Sequence, residues 1–151
     1  MTRKNCEHAL QVINLLKFRN ALDDFDITII ENKTEQEVAE IMQESLIYLS
    51  FGYPEGFSLS IAEAMSCGCI VIGYHGNGGK ELMNPKFTYP IEMGYIIDFA
   101  KTVEKVLKQY NDNPENILLK GKKASEFICK NYSPEIEEKE VVDIWRRITN
   151  T

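Results

Sequence analysis

The run from Leu46 to Leu82, with the string YPEGFSLSIAEAMSCGCIVIGYHGNGGKEL, limits the fold more than any other part of the chain. An apolar strand at Leu46–Ser50 leads into the turn Pro54-Glu55-Gly56. A helix of small residues follows from about Leu59 to Cys67, and Gly68 closes it. Cys69 to Tyr74 then reads as a buried strand, and a loop carrying Gly76, Gly78 and Gly79 comes at once. Strand, helix and strand in close succession mean a mostly parallel sheet with helices packed on it.

The remaining chain continues the alternation. Cys6 to Leu22 is helical, with Ala9, Val12, Ile13 and Leu16 on one face. Phe25 to Ile30 reads as a short strand. Thr34 and Glu37 form a capping box for a helix whose inner stripe is Val38, Ile41 and Met42. Phe87 to Glu92 is a weaker strand. Ile96, Phe99, Ala100, Val103, Val106, Leu107 and Tyr110 mark an amphipathic helix. Pro114 opens another helix. Ser133-Pro134 opens the last, which carries Val141, Ile144, Trp145 and Ile148. The expectation is one α/β domain, a doubly wound parallel sheet of about five or six strands. The first helix starts close to residue 5, so the strand that should feed it is short or missing. That fits a domain taken from a longer protein.

Charge narrows the partners. The net charge of −6 and pI of about 5.0 argue against nucleic acid, because phosphate backbones select basic surfaces. A small phosphate ligand stays compatible, since backbone N–H groups hold anions without net positive charge. No apolar run reaches membrane-span length and no signal peptide is visible. The four cysteines, Cys6, Cys67, Cys69 and Cys129, read as reduced and mostly buried thiols of a cytosolic protein.

Ligands of open α/β sheets bind outside the carboxyl ends of the strands. The loops Phe51–Ser58 and Tyr74–Lys80 both open there, and so does the N-terminus of the helix starting near Leu59. That terminus favours an anion such as a diphosphate. Gly56 lets the backbone approach it, and Gly76, Gly78 and Gly79 offer the same from the neighbouring loop. Glu63, about one turn into the helix, suits a vicinal diol such as that of a ribose, while Glu55 lies where a second sugar would sit. His75 reads as a locally bonded loop residue, and His8 and Trp145 as packing residues. Asp24-Phe25-Asp26 reads as a polar turn on the opposite edge, not a metal site.

EGFSLSIAEAMSCGCIVIG resembles the Glu-x7-Glu signature of retaining, B-type glycosyltransferases, the large family that includes sucrose and glycogen synthases and many bacterial lipopolysaccharide enzymes. Glu55, Gly56, Phe57, Glu63, Ala64, Met65, Cys67, Gly68 and Val71 match its pattern, and Thr2–Asn5 (TRKN) is similar to its basic, diphosphate-contacting segment. Two positions depart from it. Ser58 stands where glycine is usual, a residue that still suits a helix N-cap, and Gly78-Gly79-Lys80-Glu81 is one residue short of the family's Gly-Gly-x-x-Glu.

The resemblance implies the Rossmann-like, donor-binding C-terminal half of such an enzyme. Glu55 would be catalytic, and Glu63, Gly56, Phe57, Ser58, Leu59, Arg3, Lys4, Gly78 and Gly79 would bind the donor. The donor would be a nucleoside-diphosphate sugar of hexose type, and the acceptor a glycan, lipid or small molecule. No metal or other cofactor is implied. The implied partner is an N-terminal acceptor-binding domain outside these 151 residues. Without it the chain would bind nucleotide and transfer nothing. The implied location is the cytoplasm, with association at the inner face of the membrane through the other half. Two alternatives remain: a sugar-nucleotide epimerase half, which shares the B-type fold but not this string, and a non-catalytic nucleotide-binding or interaction module.

Overall fold

A computed structural model describes residues 5–149. Its elements, in chain order, are α1 (Cys6–Phe18), α2 (Glu35–Glu44), β1 (Ile47–Phe51), α3 (Leu59–Ser66), β2 (Ile70–Tyr74), β3 (Tyr89–Pro90), α4 (Ile96–Asp112), α5 (Pro114–Asn131) and α6 (Pro134–Thr149). The sheet is parallel in the order β1-β2-β3, with Ile47 opposite Ile70, Phe51 opposite Tyr74, and Ile72 opposite Tyr89.

Every residue of β2 is buried, because helices cover both faces of this central strand. Val71 joins Ile61, Ala64 and Met65 of α3, Ala124 and Ile128 of α5, and Met42 of α2. Its neighbours Ile70, Ile72 and Tyr74 point the other way, to Val12 and Leu16 of α1 and Phe99, Val103 and Val106 of α4. Burying each such aliphatic side chain contributes about 1.5–3 kcal/mol. The α/β doubly wound class read from the sequence is therefore the observed one, and the Thr34–Glu37 capping box is present in full. Gly68 closes α3 with φ of 86°, a conformation that favours glycine.

Four expectations need correction. The sheet of described strands has three members rather than five or six. Phe25–Ile30 is not a regular strand: Ile27 and Ile29 are exposed, while Phe25 and Ile30 join opposite core clusters. Strand composition expresses itself only through cross-strand packing, and this segment runs between the two layers instead. α6 has its amphipathic stripe but buries no residue, and Trp145, expected to pack, is 60% exposed. Amphipathicity marks a face that suits cover without naming the cover. Finally, of the four free thiols only Cys69 is buried, and Cys6 and Cys129 are exposed.

α1 also ends at Phe18, earlier than the expected Leu22. Asn20 takes φ of 53°, with Ala21 N–H donating to Leu16 O and Asn20 N–H to Lys17 O. This is a Schellman stop with asparagine in the place of glycine. Among the described residues no helix is long and apolar enough to cross a membrane.

Candidate functional site

Three helix N-termini and two loops meet at the carboxyl edge of the sheet. Asn5, at the N-cap of α1, donates from Nδ2 to the carbonyls of Phe51 (3.0 Å) and Gly52 (3.2 Å), which pins that helix to the end of β1. His8 Nδ1 lies 3.2 Å from the Tyr74 hydroxyl at the end of β2. Its ring packs edge-on against Tyr74, the packing role its sequence position suggests. α3 starts from the β1 loop, and α4 brings Phe99 against Tyr74 with ring centroids 5.5 Å apart. Helix N-termini carry partial positive charge, so this edge favours an anion.

The two loops are fastened to each other. Glu55 N–H donates to Gly76 O at 2.8 Å, and Glu55 and Asn77 form a parallel bridge beyond the strand ends. The approach is close enough to demand glycine. A Cβ on Gly78 would lie 2.6 Å from Glu55 O, and one on Gly79 would lie 2.5 Å from His75 O. The amides of Gly78 and Gly79 donate within their own loop, to Gly76 O and His75 O, each at 2.7 Å. Gly78 thus builds the wall against which the Glu55 turn rests, and Gly79 is required by the close folding of its own loop. Gly56 differs: a Cβ there would meet nothing within 4 Å, so packing does not explain it. His75 Nδ1 accepts from Asn77 N–H at 3.0 Å, the local bond expected of it.

Ser58 occupies the N-cap position of α3, but its side chain does not cap the helix. It is buried and donates its hydroxyl to Glu55 Oε1 at 2.7 Å. The expected N-cap role therefore gives way to a stronger acceptor, since hydrogen bonds to carboxylates outcompete those among neutral groups. No side chain caps the first turn of α3; Ile61 N–H donates to Ser58 O at 3.2 Å, and the amides ahead of it, of Leu59 and Ser60, face solvent or ligand. Leu59, at that turn, is 66% exposed.

Glu63 sits one turn further along α3, exposed, between the buried Ala62 and Ala64. Burial raises the Cys67 thiol pKa, and the charge of Glu63 adds to the effect. The structure thus gathers Glu55, Gly56, Phe57, Ser58, Leu59, Gly78 and Gly79 in two joined loops and a helix start, with Glu63 about 6 Å along the axis from Leu59. Arg3 and Lys4 lie outside the described residues.

Sequence reasoning missed Tyr132 at this edge and, for Asn5, which it placed in the segment Thr2–Asn5, the contact with β1. Asn5 acts through its side chain on β1, and Tyr132 packs its ring on Phe57 at 5.7 Å. Neither contact has a local sequence signal, because both join segments far apart in the chain. Asp24 lies with Asp112 beside the C-terminal end of α4, on the amino edge of the sheet. Among the described residues no group of His, Cys, Asp or Glu is arranged to hold a metal ion.

Comparison with known proteins gives the following. A family model described as "Glycosyl transferases group 1" matches residues 7–124, most of the chain. The "Alpha-1,6-glucosyltransferase" of Actinobacillus pleuropneumoniae serotype 7 (strain AP76) is 45% identical over 47 residues. That stretch is 31% of this chain and 14% of the relative, so the match spans a small part of the relative's length. No solved structure matches the chain.

Proposed function

The chain belongs to the group 1 glycosyl transferases, and on that premise we propose that it is the donor-binding half of a retaining enzyme using a nucleoside-diphosphate sugar. The observation that carries the reading is the Glu55 turn, clamped to the Gly76–Gly79 loop beside the uncapped start of α3. The diphosphate sits at the first-turn amides of α3 and close to Gly56, where no neighbouring atom demands glycine. Phe57, Ser58 and Leu59 carry the backbone that lines it, while Gly78 serves by holding the turn in place and Gly79 by the close folding of its own loop. Arg3 and Lys4 add positive charge to the diphosphate.

Glu63 accepts two hydrogen bonds from the ribose diol. Glu55 is the catalytic candidate and faces the transferred sugar. Ser58 fixes one of its oxygens, and a carboxylate accepts several hydrogen bonds, so sugar hydroxyls can share it. The relative's name supports a hexosyl donor. No metal takes part in this scheme. A partner domain supplies the acceptor, which is a glycan, lipid or small molecule, and transfer awaits that domain. We place the enzyme in the cytoplasm, with membrane contact left to the partner domain.

The test is calorimetric titration of the purified chain with UDP, GDP, ADP and dTDP and their hexose conjugates. The reading expects saturable binding of one nucleotide class, tighter with the sugar attached. Absence of binding across the set overturns it.

A further inference from the structure

We propose that Tyr132, at the junction of α5 and α6, is a positioning residue of this site: its ring holds Phe57 and thereby fixes the Glu55–Ser58 turn. The inference rests on the donor reading above. Phe57 lies two residues after Glu55 and is flanked by Gly56, whose Cβ direction is open, so the turn has little packing of its own on that side. The Phe57 ring meets Tyr132 at 5.7 Å with a tilt of 44°.

Tyr132 is itself held from behind. Its ring meets Phe127 at 6.1 Å, and Phe127 meets the buried Phe87 at 5.0 Å, so an aromatic ladder runs from the α3 side of the core to the turn. The backbone of Tyr132 ends α5, with its N–H on Ile128 O at 2.8 Å, which sets where the ring emerges. Burial first, and then the charge of Glu81 just beyond Gly79, raise the Tyr132 phenol pKa. The packing contact of Tyr132 with this edge is to Phe57. It acts on the turn through Phe57.

An aromatic pair of this kind corresponds to about a two- to tenfold change in an equilibrium constant. The experiment uses the whole chain and compares Tyr132→Ala with Tyr132→Phe. Amide hydrogen exchange without ligand comes first. Exchange across residues 55–58 is expected to quicken in Tyr132→Ala, with β2 amides unchanged and Tyr132→Phe like wild type. Titration comes second. Tyr132→Ala should weaken nucleotide-sugar binding about two- to tenfold and the bare nucleoside diphosphate less, and Tyr132→Phe should restore both.

Unchanged exchange at 55–58 in Tyr132→Ala overturns the inference while leaving the donor reading intact. Equal weakening of both ligands also overturns it. If wild-type chain binds no nucleotide, the donor reading falls and the donor role of Tyr132 falls with it. Should Tyr132→Ala loosen β2 as well, Tyr132→Leu replaces it. Selective loosening of 55–58 then supports the inference, and uniform loosening contradicts it.

Discussion

Ser58 turns its hydroxyl away from the helix it begins and gives it to Glu55 Oε1 at 2.7 Å. The bond ties the candidate catalytic carboxylate to the start of α3. It makes the geometry of the turn and the stability of the loop one quantity. Ser58→Ala should therefore destabilise the chain by about 1–2 kcal/mol, the range for a hydrogen bond to a charged group that is half exposed. Urea denaturation measures it, and an unchanged midpoint would show that the bond does not hold the turn.

Glu63 is exposed, so Glu63→Gln should leave that urea midpoint close to wild type. Nucleoside diphosphate affinity should fall about tenfold or more, because two hydrogen bonds lose their charged acceptor. Unchanged affinity for every diphosphate tried would return Glu63 to an ordinary helix surface.

At the start of α2, the capping box makes a pH prediction. Glu37 is lowered to about 2, first by the Thr34 backbone N–H and then by Lys33 and the Thr34 hydroxyl. A carboxyl depressed in the folded state contributes stability that is present above its unfolded pKa and lost as pH falls through its folded one. The loss should run from about pH 4.5 down to about pH 2. Glu37→Ala should flatten that part of the acid-denaturation profile. An identical acid limb in wild type and variant would refute the assignment.

The cysteines should separate by reactivity. Cys69 is buried, donates to Met42 O at 3.0 Å, and is pushed up to about 12, mainly by burial. Thiolate is the reactive form, so Cys69 should resist alkylation at neutral pH until the chain unfolds. Cys6 and Cys129 are exposed and should label fast. Peptide mapping after a timed iodoacetamide pulse reads the order, and early labelling of Cys69 would contradict the packing described.

Parts of this molecule are legible in the chain because local rules and tertiary demand agree there. β2 is covered on both faces, so an uninterrupted apolar run suffices to announce it. α2 announces itself through its capping box, and α3 through small apolar residues closed by Gly68. Phe25–Ile30 has equally good strand composition, yet its fate depends on neighbours in space, and Ile27 and Ile29 end up exposed. The stripe of α6 is real but states nothing about what covers it. Ser58 was legible as a helix-start residue, whereas the carboxylate that captures its hydroxyl depends on the shape of the turn. Tyr132 could not be read at all, because its meeting with Phe57 belongs to the packed structure alone.

The division of labour between the two glutamates is the central claim, and titration of Glu55→Gln tests it most directly. The variant keeps the size of the side chain and removes its charge, and calorimetry compares the cognate nucleoside diphosphate with its sugar conjugate. The account predicts wild-type affinity for the bare diphosphate and about tenfold weaker binding of the nucleotide-sugar, the effect of weakening one charged acceptor. Equal weakening of both ligands would contradict it, and would place Glu55 on the diphosphate or on the shape of the loop.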